Sequence, residues 1–208
     1  VPKTGATIVL VPYRTEKEYR IIYDKSVVVT ENGNVVYDKI VYYGKPYKLG
    51  VPYKEGYEFV EWQMRTESGE YLALTDANGT GLIEWRIASS EGVIVYPKWK
   101  AKQIAVTLYL TAHTEQEPNK KQFYSTKYAT FGSSNYGFEL SINDIPQEYR
   151  AKYVDLIEFF AGWSDQNGLI YTDAKGAAIR EWDKPNDVEM YAVWPQFVKN
   201  YKDLSDAI

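Results

Sequence analysis

The stretch Asp76-Ala77-Asn78-Gly79-Thr80-Gly81 comes nearest to a metal site, because carboxylate and amide oxygens alternate in it as in a calcium loop. The twelfth position from Asp76 is Ile87, where such a loop needs a bidentate acid. A second copy, Asp173-Ala174-Lys175-Gly176, puts a lysine where Asn78 stands. The pattern predicts a turn. His113 is the single histidine, set in a polar run, and there is no cysteine, so a zinc site lacks its ligands. Neither a Gly-x-Ser-x-Gly frame nor a phosphate-cradling glycine loop occurs. Acidic residues are plentiful, yet nothing singles out a pair for glycosidic acid–base work. The inventory predicts no enzyme, no catalytic residue, no metal and no cofactor.

Binding chemistry has two candidates, Trp85 and Trp182. Each follows a turn and is flanked by charge, Glu84 and Arg86 in one case and Glu181 and Asp183 in the other. Exposed rings there would stack on a sugar or anchor a protein partner, which is the carbohydrate-binding reading. The competing reading buries them as core.

The elements that must position these residues come in two copies. Gly56-Tyr57-Glu58-Phe59-Val60-Glu61-Trp62 reads as a turn and an alternating strand, with Phe59 and Trp62 on opposite faces. Glu158-Phe159-Phe160-Ala161-Gly162-Trp163 is its second version. Trp85 follows Gly79 by six residues, and Trp182 follows Gly176 by six. Three segments carry a period-2 stripe ending in an aromatic: 7–13, 93–99 and 188–194. Pro97 has no N–H, which predicts an edge or a bulge for its strand. Trp62, Trp99, Trp163 and Trp194 are expected to fill two cores. A tandem repeat explains the matches best.

Residues 1–14 are then the end of a preceding unit or an N-terminal strand. The first module covers 15–100, the second 101–195, and 196–208 is a linker or the next start. Within the first module, Asn32-Gly33 predicts a hairpin. In the second, Asn143 or Asp144 is placed to cap a short helix with Pro146 in its first turn. Strands with little helix predict a strand-rich α+β fold, and the 20 tyrosines favour the same pleated surfaces. The net charge of −4, without a basic block, argues against nucleic acid. Short apolar runs argue against membrane insertion. Without an initial Met or a signal segment, the chain reads as a piece of a longer protein.

Tyr43-Gly44-Lys45-Pro46-Tyr47, the Gly56–Trp62 stretch and Val95-Tyr96-Pro97-Lys98-Trp99 together resemble the Listeria–Bacteroides repeat, the B repeat of internalin-type surface proteins. Glu61 replaces the glycine that precedes the tryptophan in that pattern. The second module keeps Phe160-Ala161-Gly162-Trp163 and Met190-Tyr191-Ala192-Val193-Trp194 but loses the preceding Pro…Gly-Tyr approach. The resemblance implies two tandem β-grasp-like modules without catalytic activity. It also implies a stalk or adhesion role in a bacterial protein at the extracellular surface or cell wall, with host or cell-wall proteins or glycans as partners.

Overall fold

A computed structural model describes residues 15–111 and 121–194. The strand expected over 7–13, His113 and the tail 196–208 lie outside the described residues. The chain is strand-rich, with eleven strands and one α-helix among the described residues. It falls into two compact units, residues 15–53 with 59–99, and residues 54–58 with 100–111 and 121–194.

The first unit is built on a five-stranded sheet. Its strands are β1 (Glu18–Tyr23), β4 (Asp38–Tyr42), β5 (Tyr57–Arg65), β6 (Tyr71–Ala73) and β7 (Val93–Ala101), in the order β4-β1-β7-β5-β6. β1 runs antiparallel to β4 from Glu18↔Tyr42 to Ile22↔Asp38, and parallel to β7 over Ile21↔Val93 to Tyr23↔Val95. Alternation sets the faces: Tyr19, Ile21 and Tyr23 are buried, while Glu18 and Arg20 are exposed. Between β1 and β4, β2 (Val29–Glu31) and β3 (Asn34–Val36) form a hairpin. It turns at Asn32 and Gly33 with φ of 51° and 80°, the type I′ geometry that suits strand twist. Val29 anchors the hairpin in the core.

The second unit repeats the order with four strands: β8 (Gln103–Tyr109), β9 (Phe123–Thr130), β10 (Trp163–Ser164) and β11 (Val188–Ala192), arranged β10-β11-β8-β9. β8 is antiparallel to β9 and parallel to β11, as β1 is to β4 and β7. Helix α1 (Gln147–Tyr153) precedes β10, and Tyr153 and Ile145 join the core of the unit.

Three local expectations need correction. β7 lies inside its sheet, with β1 and β5 as neighbours, so Pro97 is not on an edge strand. The pairing with β1 ends at Val95, however, so the residue lacking an N–H falls beyond that ladder. Asn143 and Asp144 do not cap α1: they lie in a 3-10 turn, Ile142–Asp144, capped by the Ser141 hydroxyl, and Pro146 occupies the helix cap itself. Phe59 and Trp62 do not separate to opposite faces. Their rings meet at 5.5 Å and both pack on the core, because burial of two rings outweighs strict alternation there.

Gly79 and Gly176 hold the same position in the two units. Their φ values are 77° and 79°, and a Cβ would lie 2.1 Å from the Leu49 carbonyl oxygen in one and 2.4 Å from that of Phe138 in the other. Neither backbone oxygen can withdraw, since the residues carrying them donate their own N–H groups to Gly79 O and Gly176 O, both at 2.8 Å. Gly79→Ala and Gly176→Ala are therefore expected to destabilise the chain by more than about 2 kcal/mol each, from positive φ plus steric overlap. Urea unfolding measures this, and a loss as small as an exposed-loop Gly→Ala would contradict it.

Candidate functional site

Each unit holds its tryptophans in one repeated set of hydrogen bonds. The Trp62 backbone N–H donates to Thr75 Oγ1 and that of Trp163 to Thr172 Oγ1, both at 3.0 Å. The indole N–H of Trp62 donates to Gly50 O at 2.8 Å, and that of Trp163 to Phe138 O at 2.6 Å. The turn that follows is closed by its own carboxylate. Asp76 Oδ1 accepts the N–H groups of Asn78 and Thr80, and Asp173 Oδ1 those of Lys175 and Ala177. These oxygens are engaged in an Asx-type turn.

Trp85 and Trp182, the candidate exposed binding residues, are buried, at 1% and 0% exposure. Backbone pairing pulls them in. Trp85 N donates to Lys45 O at 3.0 Å while its carbonyl accepts from Gly44 at 2.7 Å, and Trp182 pairs likewise with Ser133 and Gly132 at 3.0 and 2.8 Å. Tyr47 stands edge-on to Trp85 at 5.4 Å, and Tyr136 edge-on to Trp182 at 5.2 Å. Both tyrosine hydroxyls donate to carbonyls, Tyr47 to Leu74 O at 2.7 Å and Tyr136 to Tyr171 O at 3.0 Å. Burial pushes each phenol up to about 12. The flanking charge stays outside, with Arg86 paired to Glu84 at 2.7 Å. Trp62 and Trp163 are fully buried as expected of core, but Trp99 and Trp194 are only half-buried. Sequence reasoning missed Tyr136 and Gly132 as counterparts of Tyr47 and Gly44. Phe131-Gly132 followed by Tyr136 was the available signal, displaced by one residue from Tyr43-Gly44 and Tyr47.

Two further features lie outside the tryptophan framework. On the second sheet, opposite the core, Phe123, Tyr109 and Tyr191 form a row, with ring separations of 6.4 and 5.7 Å; Phe123 is exposed, Tyr109 half-buried and Tyr191 buried. The Lys121 ammonium lies 5.2 Å from the Tyr109 ring and pairs with Glu189, whose carboxylate also accepts from the Tyr191 hydroxyl at 2.6 Å. On the first unit, a cleft of about 550 Å³ opens between the β2–β3 hairpin, the Lys48–Val51 loop and the Asp76 turn. No described helix is long and apolar enough to cross a membrane, and the described residues hold no cluster of three metal-ligating side chains. Compared with known proteins, the chain matches no family model and no curated sequence.

Two carboxylates of the second unit are held below their ordinary range. For Asp165, burial pushes the group up. The Lys184 ammonium at 2.8 Å and the N–H groups of Leu169 and Asn167 outweigh that push. For Glu189, the hydrogen bond from Lys121 leads, followed by that from Tyr191. A depressed folded value stabilises above the unfolded pKa and is lost as pH falls through the folded one. Stability of the second unit is therefore expected to fall below about pH 4, the region of unfolded carboxylates. Asp165→Asn with Glu189→Gln should flatten that slope. An unchanged slope of urea midpoint against pH in the double variant would contradict the assignment.

Trp62 and Trp85 should also differ on truncation. Trp85 Nε1 is buried with no hydrogen-bond partner, whereas Trp62 Nε1 satisfies Gly50 O. Trp62→Phe is expected to cost more than Trp85→Phe by about 1–2 kcal/mol, since only the former orphans a carbonyl. Chemical denaturation of the two single variants decides it, and equal losses would go against it.

Proposed function

We propose that this chain is a non-catalytic extracellular repeat segment, a stalk or adhesion module of a bacterial cell-surface protein. In this reading the two units are tandem β-grasp-like modules of the Listeria–Bacteroides type. The observation that supports it best is the duplicated interior. Two sheets share one strand order, and each encloses its own core behind the same bonds from tryptophan to threonine and to a loop carbonyl. Such units resist extension one at a time, which suits a spacer under load. Partners would be a host or cell-wall protein or glycan. Trp85 and Trp182 are buried, which lends no support to the carbohydrate-binding version that relies on them.

Pulling the whole chain from its two ends should give two separate unfolding events. Each should release the contour length of one unit, about 3.5 Å per residue. A single event releasing both units together would overturn the reading of independent modules.

A further inference from the structure

The first-unit cleft is built on fixed walls. One wall is the β2–β3 hairpin, pinned where Val29 enters the core. It lies so close to the neighbouring loop that a Cβ on Gly50 would sit 2.4 Å from Val29 Cγ1. Gly50 N–H donates to the Tyr23 hydroxyl at 3.0 Å, which ties that loop to β1. The opposite wall is the turn closed by Asp76, which presents Ala77 and Asn78. The volume, about 550 Å³, lies in the range of small-molecule sites, roughly 300–1,000 Å³.

The polar groups in the cleft divide into spent and unspent. The Lys39 ammonium is neutralised by Glu31 at 2.5 Å. Lys48 forms no ion pair or hydrogen bond through its ammonium among the described residues, and the side-chain amides of Asn32 and Asn78 are likewise unbonded. One uncompensated cation and two amides thus face a recess whose remaining lining includes Val51 and Ala77. An ammonium selects an oxyanion, paired amides serve hydroxyls as donor and acceptor, and a small apolar surface takes the C–H face of a ring.

We infer that this cleft binds an acidic sugar, its carboxylate on Lys48 and its hydroxyls on Asn32 and Asn78. The second unit has Lys175 in the place of Asn78, so the assignment concerns the first unit alone. The inference does not rest on the stalk or adhesion reading: the pulling experiment and the one below fail independently.

The test is an NMR amide-resonance titration of the whole chain with a disaccharide carrying one glucuronic acid, beside its carboxyl-reduced counterpart. The expected result is shifts confined to the hairpin turn, the Lys48–Val51 loop and the Asp76 turn. Affinity should weaken by about tenfold or more for the reduced sugar and for Lys48→Gln, the loss of one charge-assisted hydrogen bond. Lys127→Gln, in the other unit, should leave binding unchanged. Equal affinity for the reduced sugar, unchanged affinity of Lys48→Gln, shifts elsewhere or no shifts at millimolar ligand would each overturn the inference. Sodium acetate reproducing the same shifts would mark an anion contact only and overturn the sugar assignment.

Discussion

A fully buried tryptophan costs less when its indole N–H finds an acceptor, and much of this fold follows from how Trp62 and Trp163 meet that demand. At Trp62 the acceptor is Gly50 O, so the loop carrying Gly50 must run across the core. That loop is held in turn by Leu49 N–H on Gly79 O, and the closeness of this approach leaves no space for a Cβ at residue 79. Asp76 then closes the turn by accepting two N–H groups from it. The second unit repeats the chain of dependence through Phe138, Gly176 and Asp173. A turn motif that resembles a calcium loop in one dimension is thus the clasp of a buried indole in three.

What could be read in the sequence was what the local pattern carries. The Asn32-Gly33 hairpin and the two Asp-Ala-x-Gly turns depend on residues within a few positions of one another, and they were legible. The failures required partners far along the chain. Trp85 beside Glu84 and Arg86 can be read as exposed or as core, and only its pairing with Gly44 and Lys45, some forty residues earlier, decides that it turns inward. β9 went unread because its lysine and threonines mask the pattern. A register shift near Tyr109 also breaks the alternation, so that Tyr124 reaches the core and stacks on Trp163 at 5.7 Å. The edge alternative for Pro97 failed for a related reason: its chemistry forbids a ladder bond, but where the neighbouring strand ends cannot be read locally.

The two units complete their cores with different accessories. In the first, the segment between β1 and β4 folds back as a hairpin and contributes Val29. In the second, the segment between Tyr136 and Trp163 carries α1 and contributes Ile145 and Tyr153. A sheet with one apolar face must be covered, but the framework does not dictate by what. The charge that stabilises each unit also differs. Arg20 and Asp38 pair across strands at an exposed position, where solvent leaves little net gain, whereas Asp165 beside Lys184 is 3% exposed and structurally committed.

This division bears on where recognition can evolve. Residues common to both units, the four fully buried tryptophans, the paired threonines and the turn aspartates, are fixed by mutual hydrogen bonds and burial. A side chain whose polar atoms are already satisfied inside the fold has nothing to offer a ligand. Unspent donors lie instead on side chains that are not shared: Asn32 on the hairpin turn, Lys48, whose place in the other unit is taken by Gly137, and Asn78 at a turn position that carries lysine in the other unit. A duplicated framework that commits its buried tryptophans to stability thereby leaves binding to the exposed positions at which its two copies differ.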